Sequence, residues 1–121
     1  MWIYKQQSGD LYHNSSYEGA GYSGHSEGVN DPDMQSVTCI GPIPEGQWII
    51  GPAQTRPPLG PIVFALSPCT GTDTFGRSSF FIHGDNSLMN DTGSEGCIVM
   101  GRAIRQAIAD SGDTSLQVIK D

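Results

Sequence analysis

The segment FFIHGDNSLMNDTGSEGCIVMG, Phe80 to Gly101, sets one apolar run before His83 and another after Cys97. Between them lies a stretch rich in Gly, Asp, Asn and Ser. Short apolar runs bounded by those residues read as strands and turns. The segment is therefore a β-hairpin with a long polar tip, or, if the imidazole and the thiol meet, an active site.

The rest of the chain follows the same grammar. Sixteen Gly and eight Pro in 121 residues are well above their ordinary combined usage of roughly 12%. Aliphatic runs are short and closely spaced, which favours many short strands over long helices. MWIYKQQSGDLYHN reads as a hairpin: Trp2–Tyr4, a turn around Ser8, Gly9 and Asp10, then Leu11–His13. Residues 14–36 are dominated by polar residues and Gly and are predicted to form an ordered loop anchored by Tyr17 and Tyr22. Further strands are predicted at Gln47–Ile50, Ile62–Leu66 and Ser79–His83, and a closing strand at Ser115–Lys120. One segment reads as helix, Gly101–Asp110, with Met100, Ile104, Ala107 and Ile108 on one face and Gly112 as its stop. The expectation is a mainly β domain spanning 1–121, a sandwich or barrel with one short α-helix near the C-terminus.

Thirteen acidic against six basic residues give a net charge of −7. No Lys/Arg cluster offers a footprint for a phosphate backbone, so nucleic acid is not an expected partner. No apolar run approaches the ~20 residues of a membrane span. The N-terminus lacks the basic and apolar regions of a secretory signal, so the chain is expected to be made in the cytoplasm without one. Cys39, Cys69 and Cys97 fit no zinc spacing, and no metal or other cofactor is called for. Cys39 and Cys69 pairing, and three reduced thiols, both remain open.

A thiol becomes a strong nucleophile only as thiolate, and a neighbouring imidazole stabilises that form. A nucleophile and a base are the minimum machinery for acyl transfer. His83 is placed at a strand end, where a side chain can emerge from a rigid scaffold. Gly96 lets the backbone approach a carbonyl, and the amides of Gly96 and Cys97 could face a developing oxyanion. Against this stand the plain alternatives of a small buried cysteine and a structural histidine.

The arrangement resembles the catalytic motif of the L,D-transpeptidases of the YkuD-like fold, in Ile82-His83-Gly84 and in Ser94-Glu95-Gly96-Cys97-Ile98. It is similar most of all to a short-chain branch described as antibacterial type VI secretion effectors, through IHGDN, SEGCI, GPIPEGQW and RSSFFIHG. The resemblance covers roughly residues 40–119 and, more weakly, GYSG and the N-terminal hairpin. It implies a β fold of the L,D-transpeptidase type, peptidoglycan stem peptides as substrate, Cys97 as nucleophile, His83 as base and Ser94 as a support for the imidazole. It also implies a secretion machinery, an immunity protein and delivery to the periplasm of target bacteria. Glu95 stands where that family usually has His, and Val99 where it usually has Arg.

Arg77, Arg102 or Arg105 could replace that charge at a substrate carboxylate, and Asp85 and Glu95 are further candidates for substrate contact. Each has a plainer reading: Asp85 as a turn cap with Asn86, Arg77 as a solvated strand-edge residue, Arg102 and Arg105 as solvent-facing helix residues. His13 and His25 are expected at structural or surface positions, Tyr22 against the core or else walling the cleft, and Trp2 and Trp48 within the core. Two other functions remain in view, a wall-binding module without turnover and a cytosolic cysteine amidohydrolase.

Overall fold

A computed structural model describes residues 1–57, 59–84 and 96–121. Among these residues ten strands are formed: β1 (Trp2–Lys5), β2 (Asp10–His13), β3 (Ser16–Ala20), β4 (Tyr22–Ser23), β5 (Gly46–Ile50), β6 (Gln54–Arg56), β7 (Gly60–Pro68), β8 (Phe80–His83), β9 (Ile98–Val99) and β10 (Ser115–Ile119). A helix, α1 (Arg102–Ser111), stands between β9 and β10.

The core follows from alternation along these strands. Successive side chains of a strand point to opposite faces, so WIYK buries Trp2 and Tyr4 together. The parallel partner β10 sets Leu116 opposite Trp2 and Val118 opposite Tyr4. Antiparallel β5 brings Trp48 against Leu116, and β7 and β8 pair Phe64 with Ile82 and Leu66 with Phe80. All of these join one apolar cluster, in which Trp48 meets Phe80 edge-on at 4.9 Å between ring centroids. Each such side chain removed from water contributes about 1.5–3 kcal/mol.

The strand order is β3-β2-β1-β10-β5-β7-β8-β9-β4, with β6 paired to β7 off that path. The two ends of the path are neighbours in the chain, separated by Gly21 alone. The run from Ser16 to Ser23 thus pairs with β2 through its first part and with β9 through its last. The sheet curls into a nearly closed barrel, and the mainly β expectation with one helix near the C-terminus is met.

Residues 14–36 differ from the expected loop. They hold β3, β4 and two short 3₁₀ turns, Ser26–Gly28 and Pro32–Met34. β3, with sequence SYEGA, keeps most of its side chains in solvent, so no apolar alternation marks it. Its backbone ladder to β2 makes it a strand, with a register shift between Leu11 and Tyr12. The helix starts one residue later than expected, at Arg102, and ends at Gly112 in the left-handed conformation that glycine adopts without a Cβ penalty. Its buried face carries Ile108 and also Arg105, which was expected in solvent. Asp85, Ser94 and Glu95 lie outside the described residues.

Candidate active site

β8 and β9 run parallel, with Ile82 beside Ile98 and His83 beside Val99. The Met100 N–H donates to the His83 carbonyl at 3.0 Å and extends the ladder by one residue. Phe80, Ile82, Ile98 and Met100 belong to the core cluster, and His83, Cys97 and Val99 do not. By the pleat, His83 and Val99 therefore stand on the outward face, and the same register carried one step back sets Cys97 there too. On that register Cys97 is the diagonal neighbour of His83 across the β8–β9 ladder. Both residues are nonetheless closed to solvent, His83 at 1% exposure and Cys97 at 0%.

The His83 ring is oriented locally. Its Nδ1 lies 2.8 Å from the Gly84 carbonyl oxygen. A carbonyl only accepts, so Nδ1 carries the proton, and in the neutral ring Nε2 is left as the basic nitrogen. The Cys97 thiol lies 3.9 Å from the Ser79 carbonyl oxygen. Ser79 presents that oxygen from a left-handed backbone, φ +66, a conformation rarely held by a non-glycine residue and often stored at functional sites.

Gly96 is held to glycine by a packing constraint that the sequence did not suggest. Its φ is +95, and a Cβ there would stand 2.5 Å from Arg77 Nη2 and 2.7 Å from Phe80 Cε1. Only glycine fits over that pair. The turn before Cys97 thus rests directly on Arg77 and Phe80.

Arg77 is itself buried, at 5% exposure, and not the solvated edge residue that its position suggested. Its Nη1 donates to the carbonyls of Gln35 and Pro42 and its Nη2 to that of Gly41, while the guanidinium lies over the Phe80 ring. The side chain ties residues 35–42 to the base of β8. A planar fork of donors suits such convergent carbonyls better than an ammonium would.

Beside the outward face a cleft of about 440 Å³ opens at the barrel seam. Gly21 and Tyr22 form one wall; Val99, Gly101, Arg102 and Arg105 form the other. Tyr22 is thus half-buried at the cleft instead of within the core. Arg102 is exposed there. Arg105 donates from Nε to the Met100 carbonyl and from Nη1 to those of Pro61 and Ile62. Burial and the neighbouring Arg102 lower its pKa. Its Nη2 stands against Gly84, where a Cβ would lie 2.6 Å away. Two cations therefore border the cleft, and one of them, Arg105, stands against the residue that follows His83. Among the described residues no cluster of His, Cys, Asp or Glu is arranged to hold a metal ion, and no helix is long and apolar enough to cross a membrane.

Residues 18–120 match the Tlde1 domain. The chain belongs to the Tlde1 domain family. That family is one of antibacterial type VI secretion effectors, which work with a secretion machinery and an immunity protein. No curated protein and no solved structure matches the chain. The Tlde1 domain begins inside β3 and runs past the end of β10, so it contains both His83 and Cys97. β1 and β2 precede it, yet β1 lies in the middle of the sheet, hydrogen-bonded to β10. Of the other histidines, His13 precedes the matched residues, stacks on Trp2 at 4.1 Å and pairs with Asp113, and His25 leads into the first 3₁₀ turn. The three cysteines are unbridged.

One residue of consequence, Ser23, carried no signal beyond its place in GYSGH. It is fully buried, accepts the Ile43 N–H at 2.8 Å and donates to the Gly96 carbonyl at 3.2 Å. Nothing in local sequence marks a serine that will bridge segments 20 and 73 residues away.

Proposed function

We propose that the chain is a cysteine enzyme that removes or exchanges the terminal D-amino acid of peptidoglycan stem tetrapeptides. The observation that supports it most is the parallel β8–β9 register, which sets His83 and Cys97 on one outward face with Nε2 of His83 as its basic nitrogen. His83 takes the thiol proton of Cys97. The thiolate attacks the carbonyl that joins an L-centre to the terminal D-amino acid, forming the C–S bond. The Gly96 and Cys97 amides hold the tetrahedral oxyanion. Collapse breaks the C–N bond, the amine leaves with the proton held by His83, and a thioester remains.

Water activated by His83 then hydrolyses the thioester, which is L,D-carboxypeptidase action. A free D-amino acid gives exchange instead, and a neighbouring stem gives a crosslink, which is L,D-transpeptidase action. A substrate of this class ends in a free carboxylate. Arg102 and Arg105 at the cleft supply the matching charge. Ser94 supports the His83 ring, and Asp85 and Glu95 contact the stem. Arg77 contributes by carrying the turn at Gly96. The enzyme acts in the periplasm of target bacteria, where trimming and exchange both consume the donors of crosslinking.

The deciding experiment incubates purified protein with tetrapeptide muropeptides and reads the products by mass, with Cys97→Ala beside it. Loss of one terminal D-amino acid, abolished in Cys97→Ala, is expected. Unchanged muropeptides with folded protein would remove the assignment. The sealed Cys97, at 0% exposure, favours one other function, a wall-binding module without turnover. Iodoacetamide separates the two: Cys97 alkylation that depends on His83 belongs to an enzyme and not to an inert module.

A further inference from the structure

We propose that Ser23 is a positioning residue for this enzyme, aiming the Cys97 amide at the oxyanion by holding the Gly96 carbonyl; the inference rests on the cysteine-enzyme assignment above. The Gly96 carbonyl and the Cys97 N–H belong to one peptide unit. In a trans peptide the two point in opposite directions from a rigid plane. Whatever fixes the carbonyl therefore fixes the N–H.

Ser23 Oγ does this with both of its capacities in use. It accepts the Ile43 N–H at 2.8 Å, which orients the hydroxyl, and its proton is then directed to the Gly96 carbonyl at 3.2 Å. Its own backbone is pinned. Ser23 pairs with Ile98 in the β4–β9 ladder, its N–H donates to the Asn30 side-chain oxygen, and its carbonyl accepts from the Asn30 N–H. The residue is fully buried, so no water competes for these bonds.

The clamp sits where it is needed. Glycine is the residue least able to restrain the peptide that follows it, and Gly96 is obligatory because a side chain would strike Arg77 and Phe80. The chain must place a flexible residue immediately before the nucleophile. Ser23 restores from outside the restraint that Gly96 cannot supply.

The test compares wild type, Ser23→Ala and Ser23→Thr in two reactions of the same sulfur. Alkylation by iodoacetamide forms no oxyanion; attack on a tetrapeptide forms one. In Ser23→Ala the tetrapeptide kcat is expected to fall about 10–100-fold with KM within about twofold, a part of the 10²–10³ lost when an oxyanion donor is removed outright. Cys97 alkylation, read by peptide mass, should stay within about twofold of wild type because that displacement builds no oxyanion to stabilise. Ser23→Thr keeps the hydroxyl and should recover most of kcat. If Ser23→Ala does not fold, Ser23→Cys, similar in size with a weaker donor, takes its place with the same expected split. A fall of both reactions together, or of neither, in a folded variant overturns the role of Ser23. A wild-type protein that leaves tetrapeptide intact overturns the enzyme assignment itself, and the Ser23 role with it.

Discussion

Gly9 and Gly21 meet back to back at the barrel seam: the Gly21 N–H donates to the Gly9 carbonyl at 2.9 Å, and a Cβ on Gly9 would stand 2.1 Å from the Gly21 carbonyl oxygen. On its other side, a Cβ on Gly21 would reach 1.9 Å from the Val99 carbonyl oxygen and 2.8 Å from Met100 Sδ. The closure of the sheet, and with it the wall of the cleft, depends on backbone approaching backbone here. Gly21→Ala should cost about 3 kcal/mol, as overpacking of a close-packed site does. Gly101→Ala, with an ordinary φ of −66 and nothing within 4 Å of its Cβ, should cost under about 1 kcal/mol. Urea unfolding of the two variants checks the difference.

Arg77 should behave as a structural clamp. Arg77→Lys keeps the charge and loses the fork that serves Gln35, Gly41 and Pro42. A loss of about 2–3 kcal/mol in unfolding free energy is expected, in line with charged hydrogen bonds left unmade. The tetrapeptide KM should hardly move. A stable variant with a raised KM would instead make Arg77 a substrate residue.

Arg102 should show the opposite pattern. It is exposed and borders the cleft, so Arg102→Gln should leave stability within about 0.5 kcal/mol. Its tetrapeptide KM should rise roughly tenfold, the worth of one charge-assisted contact. A substrate amidated at its terminal carboxylate should respond much less, and steady-state kinetics on the two substrates reads the difference.

His83→Ala tests the pair directly. Alkylation of Cys97 at neutral pH should fall at least about tenfold, because the proposed mechanism makes His83 the base of that thiol. Cys39, which is exposed, should label at an unchanged rate and serves as the internal reference. Peptide mapping after timed iodoacetamide exposure gives both rates from one sample.

Asp113 ties the termini together and sets an acid limb. The Met1 amino group, then the Ser115 amide and His13, hold its pKa down at about 2, from 3.8. A carboxylate with a depressed folded pKa contributes stability above its unfolded pKa and loses it as pH falls through the folded one. Wild type should therefore exceed Asp113→Asn in stability at pH 6. The gap should close between about pH 4 and pH 2, which melts across that range would record.

The strands at Trp2–Lys5, Gly46–Ile50, Gly60–Pro68, Phe80–His83 and Ser115–Ile119 were legible because each carries a short apolar run bounded by turn or polar residues. β3 and β4 were not, since exposed or two-residue strands are made by their partners and leave no periodic trace. Arg105 was misplaced for a related reason. Helical spacing shows which residues share a face but not that three carbonyls from β7 and Met100 wait beneath one of them. His83, Gly96 and Cys97 stood out as residue types with chemistry to perform, while the packing of Gly96 on Arg77 and Phe80 left no trace in the sequence.

Taken alone, the chain's order of residues determined a mainly β domain, the place of the α-helix near its C-terminus, and which imidazole and thiol to compare, because periodicity and residue chemistry are local properties. The tertiary structure alone decided that the sheet closes at Gly21, that Arg77 supports a glycine turn, and that Ser23 reaches Gly96. Those facts are contacts between residues from 12 (Gly9 and Gly21) to 78 (Gly21 and Val99) positions apart, created only when parallel and antiparallel pairings bring the segments together.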